Sequence, residues 1–226
     1  MTGIAILFGC LLSFATFASL LFLKHYVVPS AGNVPTLQVQ DYFVAVCYDS
    51  RCRLGDLPHM PIVSLLEPAA GDIAVFLKPS DPKIEYVKRI VGMPGDEVQM
   101  RGGDLYLNGK AVASKPLKPE PAGTGTGGEE RTRQFEETLP NGVIYQVQRI
   151  LPENPMSNTA VFKVPPGHYF VLGDNRDNSS DSRDPDGGVG FVPRENMVGR
   201  AKWITFSAGN PGRSFTAIDL PPKSDP

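Results

Sequence analysis

The sequence has no strong excess of charge of either sign, and its 226 residues include few cysteines and few histidines. Lysine and arginine number 22 against 24 aspartates and glutamates, which gives a net charge of -2. Proteins that bind nucleic acid through phosphates need a basic excess, so this balance argues against a nucleic-acid partner. The length allows one large domain, or one domain with an insertion.

The three histidines form no recognisable catalytic or metal-binding pattern. They stand at His25, His59 and His168, without a triad motif and without the spacing of a zinc helix. A glycine-rich phosphate loop is missing as well, because GTGTGG lies in a polar stretch far from any predicted strand-to-helix junction. We therefore expect no metal and no cofactor.

Two of the three cysteines lie close together, in the stretch CYDSRC. A lone pair of this spacing is a weak metal signal, because no second Cys or His pair completes a tetrahedral site. We favour a disulfide between Cys47 and Cys52, which would persist in an oxidising compartment, and two separate thiols are the alternative.

Residues 4–23 run without a single charge and are long enough to cross a bilayer as a helix. A cleavable signal peptide has a shorter apolar core and a basic start. A buried core helix is the other alternative, but a segment that is apolar all round at the N-terminus fits a membrane better. We therefore predict a short tail at 1–3, an uncleaved transmembrane anchor at 4–23, and a separate domain at 24–226. Lys24 and His25 would weakly favour a cytoplasmic domain, but long domains translocate largely regardless of such charges.

The rest of the chain has the sequence pattern of a mainly β protein. With 23 glycines and 22 prolines it should turn often, and runs such as DYFVAVCY and GDIAVFLKP mix aromatic and β-branched residues. A Gly-Gly step at 102–103 and an Asn-Gly step at 108–109 predict tight hairpins. The Pro-, Gly- and charge-rich composition of 115–134 indicates a mobile loop or the rim of an insertion. We predict a β core at 27–112 and 162–206, an inserted second β region at about 113–161, and an irregular tail at 207–226.

The densest polar stretch is GDNRDNSSDSR, residues 173–183, which directly follows the hydrophobic HYFVL. One interpretation is a turn whose Asn and Asp side chains bond local amides while its charges are solvated. The other is a polar network that positions a catalytic side chain from a loop on a rigid sheet.

Lys88 is the second candidate for chemistry. In IEYVKRIVG, strand alternation gives it the same face as Tyr86 and Ile90. Desolvation on such a face would favour the neutral amine, which can act as a general base for a hydroxyl nucleophile. A strand-edge lysine with its ammonium group in water is the alternative interpretation.

Six motifs, in order along the chain, resemble the conserved boxes of bacterial type I signal peptidases. They are PSAGNVPTL, GDIAVFLKP, YVKRIVGMPGDEV, LYLNGK, PPGHYFVLGDNRDNSSDSR and GFVPRENMVGRA. The resemblance runs from the anchor to about residue 206, with a divergent insertion. It implies an antiparallel β core with an inserted β region, anchored in the bacterial cytoplasmic membrane as a single-pass protein with the domain on the outer, periplasmic face. It also implies an endopeptidase whose substrates are the signal peptides of exported precursors, with a Ser–Lys dyad and no metal.

The resemblance assigns a role to each residue that matches a family motif. Lys88 is implied as the general base, Ser179 as the hydroxyl that orients it, and Ser30 as the hydroxyl that assists the oxyanion hole. The residues implied to brace the site as two ion pairs are Asp174 with Arg89, and Asp181 with Arg183.

The sequence departs from the family at the nucleophile. The family loop usually reads Pro-Ser-x-Ser-Met-x-Pro-Thr, and its second serine attacks the substrate, whereas this chain has Gly32 there and Asn33 next to it. Three interpretations stay open: a peptidase in which Ser30 is a displaced nucleophile, a pseudoprotease that binds exported peptides without cleaving them, and a structural module of the envelope. If the loop is extended, Ser30 and residue 32 lie on the same side, about 6–7 Å apart.

Overall fold

The computed structural model describes residues 22–49, 52, 66–117, 131–151, 155–184 and 187–218. The predicted anchor lies outside these residues except for its last two positions, and Leu23 already begins the first β-strand. The middle of the predicted polar loop, 118–130, and the end of the tail, 219–226, also lie outside them. Within the described ranges, no helix has the length and apolar character needed to cross a membrane.

The described part of the chain is built almost wholly of short antiparallel strands, as its alternating sequence texture predicts. The strands, in chain order, are β1 (Leu23–Val27), β2 (Asp41–Cys47), β3 (Ile73–Lys78), β4 (Asp81–Gly92), β5 (Glu97–Arg101), β6 (Asp104–Leu107), β7 (Lys110–Ala111), β8 (Ala113–Pro116), β9 (Arg131–Thr138), β10 (Ile144–Leu151), β11 (Phe162–Lys163), β12 (His168–Leu172), β13 (Val192–Pro193), β14 (Met197–Ser207) and β15 (Thr216–Ala217). Four short 3-10 turns accompany them, at Ala31–Asn33, Pro155–Ser157, Arg194–Asn196 and Pro211–Arg213.

The largest sheet has eight strands in the order β1-β2-β14-β3-β4-β12-β13, with β15 beside β14. Its middle strand β3 is buried on both faces, because Ile73 and Val75 pack into one hydrophobic cluster while Ala74 and Phe76 pack into another. This double burial holds β3 and its neighbour β4 rigidly in place. The end of β4 carries Lys88 and Arg89, so the candidate site is built beside a strand that is buried on both faces.

A four-stranded sheet, in the order β11-β5-β6-β7, follows the main sheet along the chain. Both predicted hairpins are present in it. Gly102 and Gly103 have φ of 55° and 79°, and Asn108 and Gly109 have φ of 52° and 76°. Two successive positive φ values are the geometry that tight two-residue hairpins require, which explains these residue types.

The region predicted as an insertion contains a three-stranded sheet, in the order β10-β9-β8. Its Leu139, Tyr145 and Val147 join a hydrophobic cluster that also holds Val98 from the four-stranded sheet and Phe170 from the main sheet. All three sheets therefore share one core.

Cys47, the last residue of β2, forms a disulfide bond with Cys52. The residues predicted as an irregular tail contain the 3-10 turn at Pro211–Arg213 and the short strand β15, which pairs with β14.

Candidate active site

The loop of residues 28–37 follows β1 and contains a 3-10 turn at Ala31–Asn33 instead of the extended conformation that we considered. Asn33 is buried, and its side-chain amide donates a hydrogen bond of 2.7 Å to the carbonyl of Val87, beside Lys88. The backbone amide of Asn175 donates to the Gly32 carbonyl at 3.1 Å. The turn is therefore attached both to β4 and to the polar loop that follows β12.

Lys88 lies in the interior, with 6% of its surface exposed, in contrast to a strand-edge lysine whose head is in water. Its ammonium nitrogen is 5.8 Å from the centre of the Tyr86 ring, on the face that alternation predicts. Burial lowers the pKa of Lys88, the carboxylates of Asp181 and Asp174 act in the opposite direction, and Arg183 adds to the lowering. Burial has the largest effect, so the neutral form of the Lys88 amine is favoured more than in a lysine exposed to water.

Gly32 faces Lys88 directly. A Cβ atom built on Gly32 would lie 2.9 Å from Lys88 Nζ, 3.6 Å from the Asn178 carbonyl oxygen and 3.8 Å from Ser179 Oγ. Ser179 is buried, and its hydroxyl oxygen has no hydrogen-bond partner among the residues that the structure describes. The fold thus brings a buried lysine and an unpartnered hydroxyl around the position from which a residue 32 side chain would project.

Asp174 and Arg89 form a buried ion pair next to this position. The Asp174 carboxylate accepts from Arg89 Nε at 2.8 Å and from Nη2 at 2.7 Å, and it also accepts from the hydroxyl of Thr36. Arg89 donates further to the carbonyl of Gly71 at 2.7 Å. Because Arg89 directly follows Lys88, this bidentate pair fixes the strand that carries the lysine.

Asp181 and Arg183 form a second buried pair inside the 173–183 loop. Asp181 accepts from Arg183 Nε at 2.9 Å and Nη2 at 2.8 Å, and from the backbone amide of Gly173 at 3.1 Å. Arg183 also donates to the carbonyl of Arg176. These charges are internal instead of solvated, so the loop is a folded polar network and not a turn in water.

A third buried charge cluster, which we did not predict, joins this loop to the three-stranded sheet. Glu137 accepts from Arg176 at 2.5 and 3.0 Å, from Arg149 at 3.2 Å and from the Tyr145 hydroxyl at 2.8 Å. Burial alone would raise the pKa of Glu137, but Arg176, Arg149 and Tyr145 together bring it below its ordinary value. The Tyr145 ring in turn stacks on the guanidinium of Arg89, 4.1 Å away.

Sequence reasoning also missed Thr36 and Asn33. Both residues lie in the 28–37 loop, which the first family motif already singles out. The available signal for Thr36 is its place next to Leu37, an apolar residue that must be buried. No signal in a single sequence pairs Glu137 with Arg176, because the two residues lie 39 positions apart, one on β9 and the other in the loop after β12.

A cavity of about 700 Å³ opens in front of Lys88. It is lined by Ser30, Gly32, Lys88 and Ser179 together with residues of β1 and of β4 before position 88. Among the described strands, β1 pairs only with β2, and this part of β4 pairs only with β3. The edges of β1 and β4 that border the cavity are thus covered by no further described strand, and Lys24 on β1 reaches Glu85 on β4 with an ion pair of 2.6 Å.

Comparisons with known proteins agree with the motifs. The model of the family "Signal peptidase, peptidase S26" matches residues 1–206. Signal peptidase I of Rickettsia typhi is 37% identical over 202 residues, which cover 83% of this chain and 74% of that protein. Signal peptidase I of Rickettsia prowazekii is 35% identical over 214 residues, which cover 88% of this chain and 78% of that protein.

A crystal structure of a signal peptidase I from Enterococcus faecalis V583 is similar at 26% identity and a TM-score of 0.36, and the match covers 61% of this chain and 98% of that one. The family match spans both the loop around Gly32 and the polar loop at 173–183, and the identity to the rickettsial proteins extends over most of the chain. The chain belongs to the signal peptidase I family.

Proposed function

We propose that this protein is a membrane-anchored endopeptidase that removes signal peptides from exported precursor proteins, with Lys88 as its general base. The observation that carries the proposal is the buried amine of Lys88, 2.9 Å from the point where a Cβ on residue 32 would stand. A lysine whose pKa is lowered by burial can take a proton from a nucleophile near neutral pH.

The precursor binds as an extended strand in the cavity in front of Lys88. The edges of β1 and β4 that no described strand covers lie beside this cavity, where such a segment could add as a strand. The family motif assigns Ser179 the role of orienting the lysine, although its hydroxyl bonds no described residue. The two ion pairs Asp174–Arg89 and Asp181–Arg183 hold the lysine and the loop in place. The Ser30 hydroxyl assists the oxyanion hole. Alternatively, Ser30 is itself the nucleophile, displaced by two positions from the usual one.

The bacterial cytoplasmic membrane is the proposed location, with residues 4–23 as the single-pass anchor and the domain on the outer face. The disulfide Cys47–Cys52 fits an oxidising compartment. Aromatic side chains that favour a membrane–water interface are exposed on the described surface, and these are Tyr42, Trp203, Phe206 and Phe215. The lipid bilayer is therefore a second partner, beside the signal peptide.

A second candidate function is peptide binding without cleavage, and Gly32 is the observation that favours it. Removing the nucleophile of a serine protease lowers kcat by about 10⁶-fold. A chain with the groove and the base but no attacking hydroxyl would act as a pseudoprotease for exported peptides, or as a structural module if it binds none.

One set of variants separates these functions. Full-length wild type, Ser30→Ala and Gly32→Ser are reconstituted in vesicles and incubated with a labelled precursor protein, and both cleavage and binding are measured. We expect Gly32→Ser to cleave at the signal-peptide junction. If Gly32→Ser neither cleaves nor binds the precursor, the structural role replaces the proposed one. A wild type that binds without cleaving supports the pseudoprotease.

A further inference from the structure

We propose that the nucleophile of this protein is a water molecule, held where Gly32 has no side chain and activated by Lys88. The inference rests on the proposed function, because it names the group that attacks the precursor in the same groove. In the family, a serine forms a covalent acyl intermediate with the substrate. In this chain, which has glycine at that position, water would hydrolyse the peptide bond directly.

The groups around Gly32 are those that hold a water molecule in a protein. Such a water needs two to four polar partners and a little more room than one probe sphere. The Cβ position of Gly32 is surrounded by one amine nitrogen, one carbonyl oxygen and one hydroxyl, from Lys88, Asn178 and Ser179, at 2.9 to 3.8 Å. Because residue 32 has no side chain, nothing at that position separates these groups from the cavity of about 700 Å³ that opens in front of Lys88.

Ser179 supplies an independent observation. Its side chain is nine-tenths buried, and its hydroxyl oxygen has no hydrogen-bond partner among the described residues. A buried hydroxyl without a partner costs free energy, so a group that bonds it is favoured at this point. A water molecule beside Gly32 meets that need and stays within reach of Lys88.

The conformation of the loop argues against Ser30 as the attacking group. Residues 31–33 form a 3-10 turn, so the extended loop that would put Ser30 and residue 32 on the same side is not present. Ser30 precedes the turn with an extended backbone and is exposed, whereas Gly32 is buried against Lys88. The turn thus directs residue 32, and not Ser30, at the base.

The proposed step balances without any further reagent. Neutral Lys88 takes a proton from the water, whose oxygen bonds to the carbonyl carbon of the scissile peptide. The tetrahedral intermediate collapses as the carbon–nitrogen bond breaks, and the Lys88 ammonium returns the proton to the leaving amine. The products are a new carboxylate and a new amino terminus, and no bond to the protein is formed.

The matched test adds a methyl group to Gly32 on the side that faces Lys88 and Ser179. Gly32→Ala adds one carbon, which contacts only the flexible end of Lys88 at less than 3 Å, and Gly32 has no left-handed backbone that an alanine would strain. With the full-length chain in vesicles and a labelled precursor, we expect wild type to cleave at least tenfold faster than Gly32→Ala. We expect wild type to cleave about 10²–10⁴-fold more slowly than Gly32→Ser, because the restored serine can form a covalent intermediate.

A second measurement distinguishes direct from covalent hydrolysis. During turnover the protein is quenched with acid and its intact mass is measured. We expect an acyl adduct for Gly32→Ser and none for wild type. Circular dichroism confirms that each variant is folded.

Three outcomes overturn the inference: equal rates for wild type and Gly32→Ala, an acyl adduct on Ser30 in the wild type, or no cleavage by wild type beside cleavage by Gly32→Ser. The last two leave the signal-peptide groove and Lys88 intact. If Gly32→Ser also fails to cleave and to bind, the proposed function itself fails.

Discussion

Lys88 is a buried amine whose neutral form can act as a base. Its burial lowers the stability of the folded protein. Its pKa is lowered in the folded protein by burial, whereas the unfolded chain keeps the ordinary value of 10.5. Between these two values the unfolded state binds more protons, so the stability of the fold increases as pH rises through that interval. At neutral pH the lysine therefore weakens the fold.

We predict that Lys88→Met raises the melting temperature at pH 7, because an apolar side chain of similar length avoids the desolvation of the amine. The difference from wild type should shrink as pH approaches 10.5. Thermal unfolding followed by circular dichroism from pH 7 to 10 measures it. A melting temperature below that of wild type at pH 7 would show that Lys88 stabilises the fold as an ion.

The same substitution should abolish catalysis where a serine is restored. In Gly32→Ser, we expect added Lys88→Met to lower the cleavage rate by at least 10³-fold, since no other base faces residue 32 among the groups closest to it. The rate of Gly32→Ser should rise with pH as Lys88 loses its proton. Cleavage by the double variant at the rate of Gly32→Ser would remove Lys88 from the mechanism.

At the scale of elements, the site depends on how closely the loop after β12 packs against the loop after β1. A Cβ on Gly173 would lie well under 3 Å from Ser179 and from the Gly32 carbonyl oxygen, so only glycine fits where these loops touch. The contact is between backbones, and it leaves little room for either loop to shift.

We predict that Gly173→Ala lowers the free energy of unfolding by about 1–3 kcal/mol, as overpacking does. It should also lower the cleavage rate of Gly32→Ser, because the displaced loop carries Ser179. The matched control is Gly209→Ala, where a Cβ meets nothing within 4 Å. Urea unfolding of both variants tests the prediction, and equal stabilities would contradict it.

The contact between Glu137 and Arg176 gives a second prediction at this scale. Glu137→Gln removes the charge that two buried arginines face, so we expect a loss of about 3–5 kcal/mol in the free energy of unfolding at pH 7. Because the folded pKa of Glu137 is lowered, its contribution is present above the ordinary value of 4.5 and is lost as pH falls through the folded pKa. The difference between wild type and variant should therefore narrow in acid.

Glu136→Gln is the control, because Glu136 is the adjacent residue on the same strand and is only half-buried. Urea unfolding at pH 7 and at pH 4 compares the two variants. If Glu137→Gln is no less stable than Glu136→Gln at pH 7, the cluster does not stabilise the fold.

These elements also show what a single sequence can predict. Alternation and turn chemistry are local, so the face of Lys88 and the hairpin at Asn108–Gly109 follow from a few neighbouring residues. The 3-10 turn around Gly32 was not predicted, because it is held by bonds to β4 and to the 173–183 loop. The Glu137 cluster was missed for the same reason, because Arg176 meets it only after the 173–183 loop has packed against the three-stranded sheet.

At the scale of the whole molecule, the fluorescence of a natural tryptophan can report how the domain is oriented on the membrane. Trp203 on β14 is its single tryptophan and is 48% exposed, near the exposed Tyr42 and Phe206. We predict that lipids brominated close to the headgroups quench its fluorescence when the full-length protein is reconstituted in vesicles. The aromatic ring would then lie at the membrane interface.

The control moves the tryptophan to the four-stranded sheet, by combining Trp203→Phe with Tyr106→Trp. We expect brominated lipids to leave this variant unquenched. Equal quenching of both proteins, or of neither, would contradict a specific orientation of the domain on the bilayer.

The stacking of Tyr145 on Arg89 bears on how such a chain can evolve. Through this stack and through Glu137, the three-stranded sheet supplies contacts to two arginines that lie beside the candidate site. A lineage could lengthen or rewrite the loops at the tips of that sheet without touching these contacts. It could not delete the sheet without cost, because the buried guanidinium of Arg176 would lose its carboxylate and that of Arg89 would lose the Tyr145 ring. The region predicted as an insertion is thus free to diverge in its loops while its strands stay part of the site.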